Sequence, residues 1–96
     1  MVKHVLFCKL DEYSEENAKA LVDVFMSMKG NVPCAREVFA ATDFLRSGRS
    51  YDVMLEVTLD SKEALEEYQK DEYHVNVVKK YVHARVHQSA TVDYEY

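Results

Sequence analysis

One proline and two glycines are the only strong chain-breakers in this 96-residue sequence. That scarcity excludes a loop-rich or collagen-like chain and assigns most of the length to regular helix and strand. Cysteine is scarce too. Cys8 and Cys34 share no metal-ligand or redox spacing, so two separate thiols fit them better than a disulfide. No apolar run approaches the ~20 residues of a membrane span, which argues against a membrane partner. Basic residues are in deficit: 12 Lys and Arg against 17 Asp and Glu leave a net charge of −5. Nucleic acid, whose phosphates need a basic face, is therefore a poor partner. Met1-Val2-Lys3-His4 runs straight into an apolar strand, without the basic, apolar and cleavage regions of an export signal, so a cytoplasmic location is expected.

What is present is a clear succession of periodicities within a single domain, residues 1–96. Residues 2–10 alternate as a strand, with His4, Leu6, Cys8 and Leu10 on one face and Val5 and Phe7 on the other. Apolar residues on both faces imply cover on both sides. Ser14 suits an N-cap with Glu15 and Glu16 in the first turn, and Ala18, Leu21, Val22, Phe25 and Met28 form the apolar stripe of a helix. Lys29-Gly30 should end that helix, the glycine taking a left-handed conformation. Residues 36–42 read as a short strand and 43–50 as a polar loop. Residues 51–59 are a second clear strand, with Tyr51, Val53, Leu55, Val57 and Leu59 facing one way. Ser61 caps a helix over 62–70 with Ala64, Leu65 and Tyr68 on its apolar face. A third helical segment begins near Tyr73 and buries Val75, Val78, Tyr81 and Val82. Residues 88–96 form the last strand, with Ala90, Val92, Tyr94 and Tyr96 on one side.

The order β-α-β-β-α(α)-β is an α+β, ferredoxin-like arrangement: a four-stranded antiparallel sheet with helices on one face. The face that carries Val5 and Phe7 is left open. An exposed apolar sheet face is a liability, and a second copy of the chain is the economical cover, since twofold homodimers are the commonest oligomers.

His4 is out of place on an apolar strand. A buried imidazole without a partner costs roughly 1–3 kcal/mol, so His4 requires a hydrogen-bond partner or a polar cavity. Tyr68 and His74, near the other end of the chain, are the candidate partners.

Several stretches, taken together and in order, resemble the stress-responsive A/B barrel (Dabb) family. They are Val2-Lys3-His4-Val5-Leu6-Phe7, Ser47-Gly48-Arg49-Ser50-Tyr51-Asp52, Glu56-Val57-Thr58-Leu59-Asp60-Ser61-Lys62-Glu63-Ala64-Leu65, and Tyr68 with Asp71-Glu72-Tyr73-His74-Val75. The resemblance spans essentially the whole chain and implies a dimeric α+β barrel, two sheets packed face to face with helices outside. The family is functionally mixed. Olivetolic acid cyclase-type members are plant polyketide cyclases that close an aromatic ring by aldol chemistry without a cofactor, using a strand-1 histidine, a helix tyrosine and a histidine six residues after it. His4, Tyr68 and His74 occupy matching positions here. The sequence departs elsewhere: Asp71-Glu72-Tyr73-His74 replaces a His-Pro-x-His run, and Asp52 stands where the cyclase has a further histidine.

The resemblance implies His74 as a base, Tyr68 as an oxyanion donor and His4 as an orienting group, which are the needs of proton abstraction beside a carbonyl. The same three residues also suit a self-satisfied polar cluster without chemistry, or a pocket for a small apolar or aromatic carbonyl ligand. Three readings follow: a homodimer of unassigned activity with a pocket between sheet and helices, a cofactor-free cyclase or lyase, and, by fold analogy alone, a cofactor-free monooxygenase. No cofactor and no metal are expected. His83 and His87 stand at a helical metal-ligand spacing, but Arg85 lies between them where the helix should end, so they read as surface histidines. Arg46 and Arg49 could clamp an anion but read as a solvated pair. Cys8 has no neighbour certain to activate its thiol.

Overall fold

The computed structural model describes residues 1–96. Its elements, in order, are β1 (Val2–Leu10), α1 (Glu15–Met26), β2 (Ala35–Thr42), β3 (Val53–Leu59), α2 (Lys62–Lys70), a π-helical turn (His74–Lys79), α3 (Lys80–Arg85) and β4 (Val86–Glu95). The four strands form one antiparallel sheet in the order β2-β3-β1-β4. The helices lie on one face, giving the ferredoxin-like α+β fold expected from the sequence.

Alternation decides which side chains meet the helices. Val2, His4, Cys8 and Leu10 of β1, Val38 and Ala40 of β2, and Val53, Leu55, Val57 and Leu59 of β3 are buried beneath them. Ala18, Leu21 and Phe25 of α1, Tyr68 of α2 and Val78 of the π-helical turn complete that core. Both long helices start on a serine: Ser14 Oγ accepts from the Asn17 backbone N–H at 3.0 Å and Ser61 Oγ from Ala64 at 3.1 Å. Each bond satisfies one of the N–H groups that a helix start leaves unpaired.

On the other face, Val5, Phe7, Phe39, Met54, Val92 and Tyr94 have no element above them. Phe39 is 53% exposed and Val92 57%. No helix is long and apolar enough to cross a membrane.

Four local expectations shift. The first helix ends at Met26, a turn early, and residues 27–31 continue as tight turns in which Gly30 adopts φ +81°. Here Ser27 Oγ donates to the Val24 carbonyl at 2.5 Å, a local bond that competes with helix continuation. The third strand begins at Val53 rather than Tyr51, because Asp52 donates its N–H to the Cys8 carbonyl at 2.8 Å and turns the chain. Tyr51 thereby packs against Phe7, with ring centroids 6.1 Å apart, on the open face rather than in line with Val53. Val75 is exposed where burial was expected, and His74 is buried instead. His74 and Val78, four residues apart, form the inward face of this segment. The last strand starts at Val86, two residues early.

Candidate functional site

His4 is 7% exposed, and its hydrogen-bond partner is neither Tyr68 nor His74. Antiparallel pairing of β1 with β4 sets His4 opposite Asp93. His4 Nδ1 donates to Asp93 Oδ1. A carboxylate accepts only, so the bond places a proton on Nδ1, and in the neutral ring it leaves the Nε2 lone pair free. Sequence reasoning missed Asp93, although a signal existed. With Val92 and Tyr94 on one face of β4, Asp93 must lie on the face of His4. Alternation shows that much, but register comes from pairing and was not legible.

His74 is held by the end of α2. Asp71 follows that helix, and its Oδ1 accepts the His74 backbone N–H at 3.0 Å, starting the next helical turn. His74 Nδ1 donates to the Tyr68 carbonyl at 2.8 Å, which again leaves Nε2 free. Burial lowers the His74 pKa from its ordinary value, with the positive charge of Lys79 adding to the effect and the carbonyl hydrogen bond opposing it. Desolvation disfavours the imidazolium, so His74 is the neutral imidazole around pH 7.

Tyr68 joins the two histidines through its ring. It stacks on His74 at 4.1 Å between centroids and meets His4 at 5.6 Å. Its hydroxyl points into the core, donating to Met28 Sδ at 3.8 Å. Burial raises its pKa well above the ordinary phenol value. The structure thus brings all three expected residues together but sends the Tyr68 hydroxyl away from both imidazoles.

A cavity of about 200 Å³ lies between the sheet and the helical segment of residues 74–85. His4 and His74 both line it, with Leu6, Phe25, Leu55, Val78 and Val82 as apolar walls and Gln69, Lys79, His83 and Thr91 as further polar groups. It is smaller than the ~300–1,000 Å³ of drug-sized ligand sites, so it has room for a compact ligand. A larger hollow of about 490 Å³ on the open sheet face, among Phe7, Phe44, Tyr51 and Met54, contains no histidine and is the trough of an uncovered sheet.

The remaining candidates fall outside the cavity or have other partners. Helix α3 ends at Arg85, which puts His87 on β4, where Nδ1 lies 3.4 Å from Asp11 Oδ1. His83 lines the cavity instead of sharing a helical face with His87. No cluster of three or more His, Cys, Asp or Glu is placed to hold a metal ion. Arg46 is solvent-exposed, as expected, and also paired: Nη2 donates to Asp52 Oδ1 at 2.7 Å, and the guanidinium lies 3.8 Å over the Tyr13 ring. Asp52 accepts the Leu10 N–H as well, at 2.8 Å, and so ties the end of β1 to the loop. Cys8 is buried, and its thiol is pushed up to about 11 by burial and by the nearby Asp52 carboxylate, which makes it inert.

Comparison with known proteins completes the picture. The family model described as Stress responsive A/B Barrel Domain matches residues 2–96. No curated protein sequence matches the chain. Among solved structures, an Arabidopsis thaliana protein superposes with a TM-score of 0.82 at 23% identity, over 100% of this chain and 95% of that one. A dimeric protein of unknown function and ferredoxin-like fold from Bacteroides fragilis gives 0.81 at 21% identity, over 99% and 95%. A hydroxynitrile lyase from Passiflora edulis gives 0.78 at 14% identity, over 97% and 90%. At these identities the likeness is one of fold.

Proposed function

Starting from the fact that the chain belongs to the stress-responsive A/B barrel domain family, we propose that it is a homodimer whose helix-side cavity performs acid–base chemistry on a small carbonyl compound, in the manner of a lyase or cyclase. The observation that carries the reading is the pairing of His4 with Asp93 at the wall of a cavity that His74 also lines. Asp93 fixes the His4 tautomer and orientation, and would stabilise the imidazolium formed when Nε2 takes a proton. His74, neutral and with its own Nε2 free, is the second group able to accept a proton or a hydrogen bond from substrate. The apolar walls favour an aromatic or alkyl body.

The reaction class is proton transfer coupled to breaking or making a carbon–carbon bond beside a carbonyl. For an aromatic cyanohydrin, His4 would take the hydroxyl proton, the bond to the nitrile carbon would break with its electron pair leaving as cyanide, and the proton would return to give an aldehyde and hydrogen cyanide. Aldehyde release from a single-ring cyanohydrin, followed by ultraviolet absorbance against a buffer blank, tests the proposal. The expected outcome is turnover above background that falls by ~10²-fold or more in His4→Ala. An unchanged rate in that variant would remove His4 from the chemistry.

The dimer half of the proposal rests on the open face. Phe39, Val92 and Tyr94, each about half exposed, continue the Val5 and Phe7 stripe across the sheet. Three structures of this fold are described as dimeric. A patch of this kind is what a second sheet would cover. Light scattering at micromolar protomer should give twice the chain mass for the native protein and the monomer mass for Phe7→Lys.

A further inference from the structure

The cavity has one permanently charged wall group, Lys79, the last residue of the π-helical turn. Its ammonium makes a single long hydrogen bond, to the Gln69 carbonyl at 3.4 Å. No carboxylate pairs with it: the ion pairs of the molecule take up His4, Arg36, Arg46, Lys62 and His87. His83 lies four residues further along the same helical face and lines the same cavity. Asp93 and Asp71, the carboxylates that meet the two histidines, already accept hydrogen bonds from the His4 ring and the His74 backbone N–H.

Lys79 is the one lysine or arginine on the wall of this cavity, in a chain of net charge −5. An anionic group on a ligand in the cavity would pair with this ammonium, and the apolar walls strengthen that attraction. We infer that the cavity selects carbonyl compounds that carry a carboxylate, single-ring 2-oxo acids for example, with Lys79 and His83 holding the anionic end while the carbonyl end lies toward His4 and His74. This deepens the proposed function and rests on it.

Two probes of nearly equal shape separate the claims: benzoylformate, which has the carboxylate, and acetophenone, which lacks it. Each is titrated into the 15N-labelled protein at pH 7 and low salt, with the backbone resonances of Leu6, Val78 and Thr91 as reporters of the cavity. Benzoylformate should bind about tenfold more tightly than acetophenone, and the margin should shrink as salt is added. Lys79→Gln should abolish the margin while leaving acetophenone binding unchanged, and Lys79→Arg, which keeps the charge, should preserve it. Equal affinities, or a margin that survives in Lys79→Gln, overturn the inference while the cavity reading stands. If neither probe moves the three reporters, the cavity reading fails and this inference fails with it.

Discussion

Replacing Tyr68 by phenylalanine and by alanine should have very different consequences. The ring is the largest fully buried side chain in the molecule and lies between the two imidazoles. Its hydroxyl has only a thioether acceptor, at 3.8 Å. A normal intramolecular hydrogen bond contributes roughly 0.5–1.5 kcal/mol, and sulfur is a weak acceptor. Losing the hydroxyl also removes a polar group from an apolar site, which offsets part of that. Tyr68→Phe should therefore change stability by less than ~1 kcal/mol. Tyr68→Ala removes the ring and leaves a void, at a cost of about 3–5 kcal/mol. Urea unfolding followed by circular dichroism at one fixed protomer concentration reads both values, the concentration being held because association contributes to apparent stability. Ligand affinity, or turnover where a substrate is known, should be unaltered in Tyr68→Phe. If Tyr68→Phe keeps its stability but loses turnover by a hundredfold, the hydroxyl acts in the cavity, and the orientation described here is not the working one.

Other outcomes follow from the same contacts. The folded-state pKa of His74 lies below its unfolded value, so the unfolded chain binds more protons as pH falls. Stability should be full above the ordinary histidine pKa near ~6.5 and should decline as pH drops through and below it; His74→Phe should flatten this slope in unfolding experiments from pH 8 to 5, and an unchanged slope would mean that His74 is not its source. Asp52→Ala strands the Leu10 N–H and frees Arg46, with an expected loss of ~1–3 kcal/mol in urea unfolding; a loss below ~0.5 kcal/mol would mean that water replaces the carboxylate. Asp93→Asn should slow any His4-dependent turnover by at least tenfold with little change in melting temperature, because Asp93 lies at the sheet edge.

Most of the fold was legible because its signals are local. Ser14 and Ser61 mark helix starts through their own side chains, and β1 announces its faces by strict alternation. Legibility failed where a distant backbone group decides the outcome. Tyr51 fits the alternation of β3, yet the bond from Asp52 to Cys8 turns the chain before it. Val75 fits an α-helical stripe, yet His74, hydrogen-bonded to the Tyr68 carbonyl, takes the inward place. The site divides in the same way. His4 was visible as a polar residue on an apolar strand, and Tyr68 and His74 through family resemblance. Asp93 was not visible, since it meets His4 only through the register of two strands at opposite ends of the chain. Lys79 looked like one more surface lysine, because wall position and lack of a carboxylate partner are properties of the folded molecule.

The central claim is that His4 and His74 both present a free Nε2 to one cavity, His4 because Asp93 holds its Nδ1–H. Long-range 1H–15N NMR of the imidazole rings at pH 8 measures this directly. Both rings should hold the Nδ1–H tautomer, and Asp93→Asn should remove that preference at His4 alone. A His4 ring protonated at Nε2 in the native protein would contradict it.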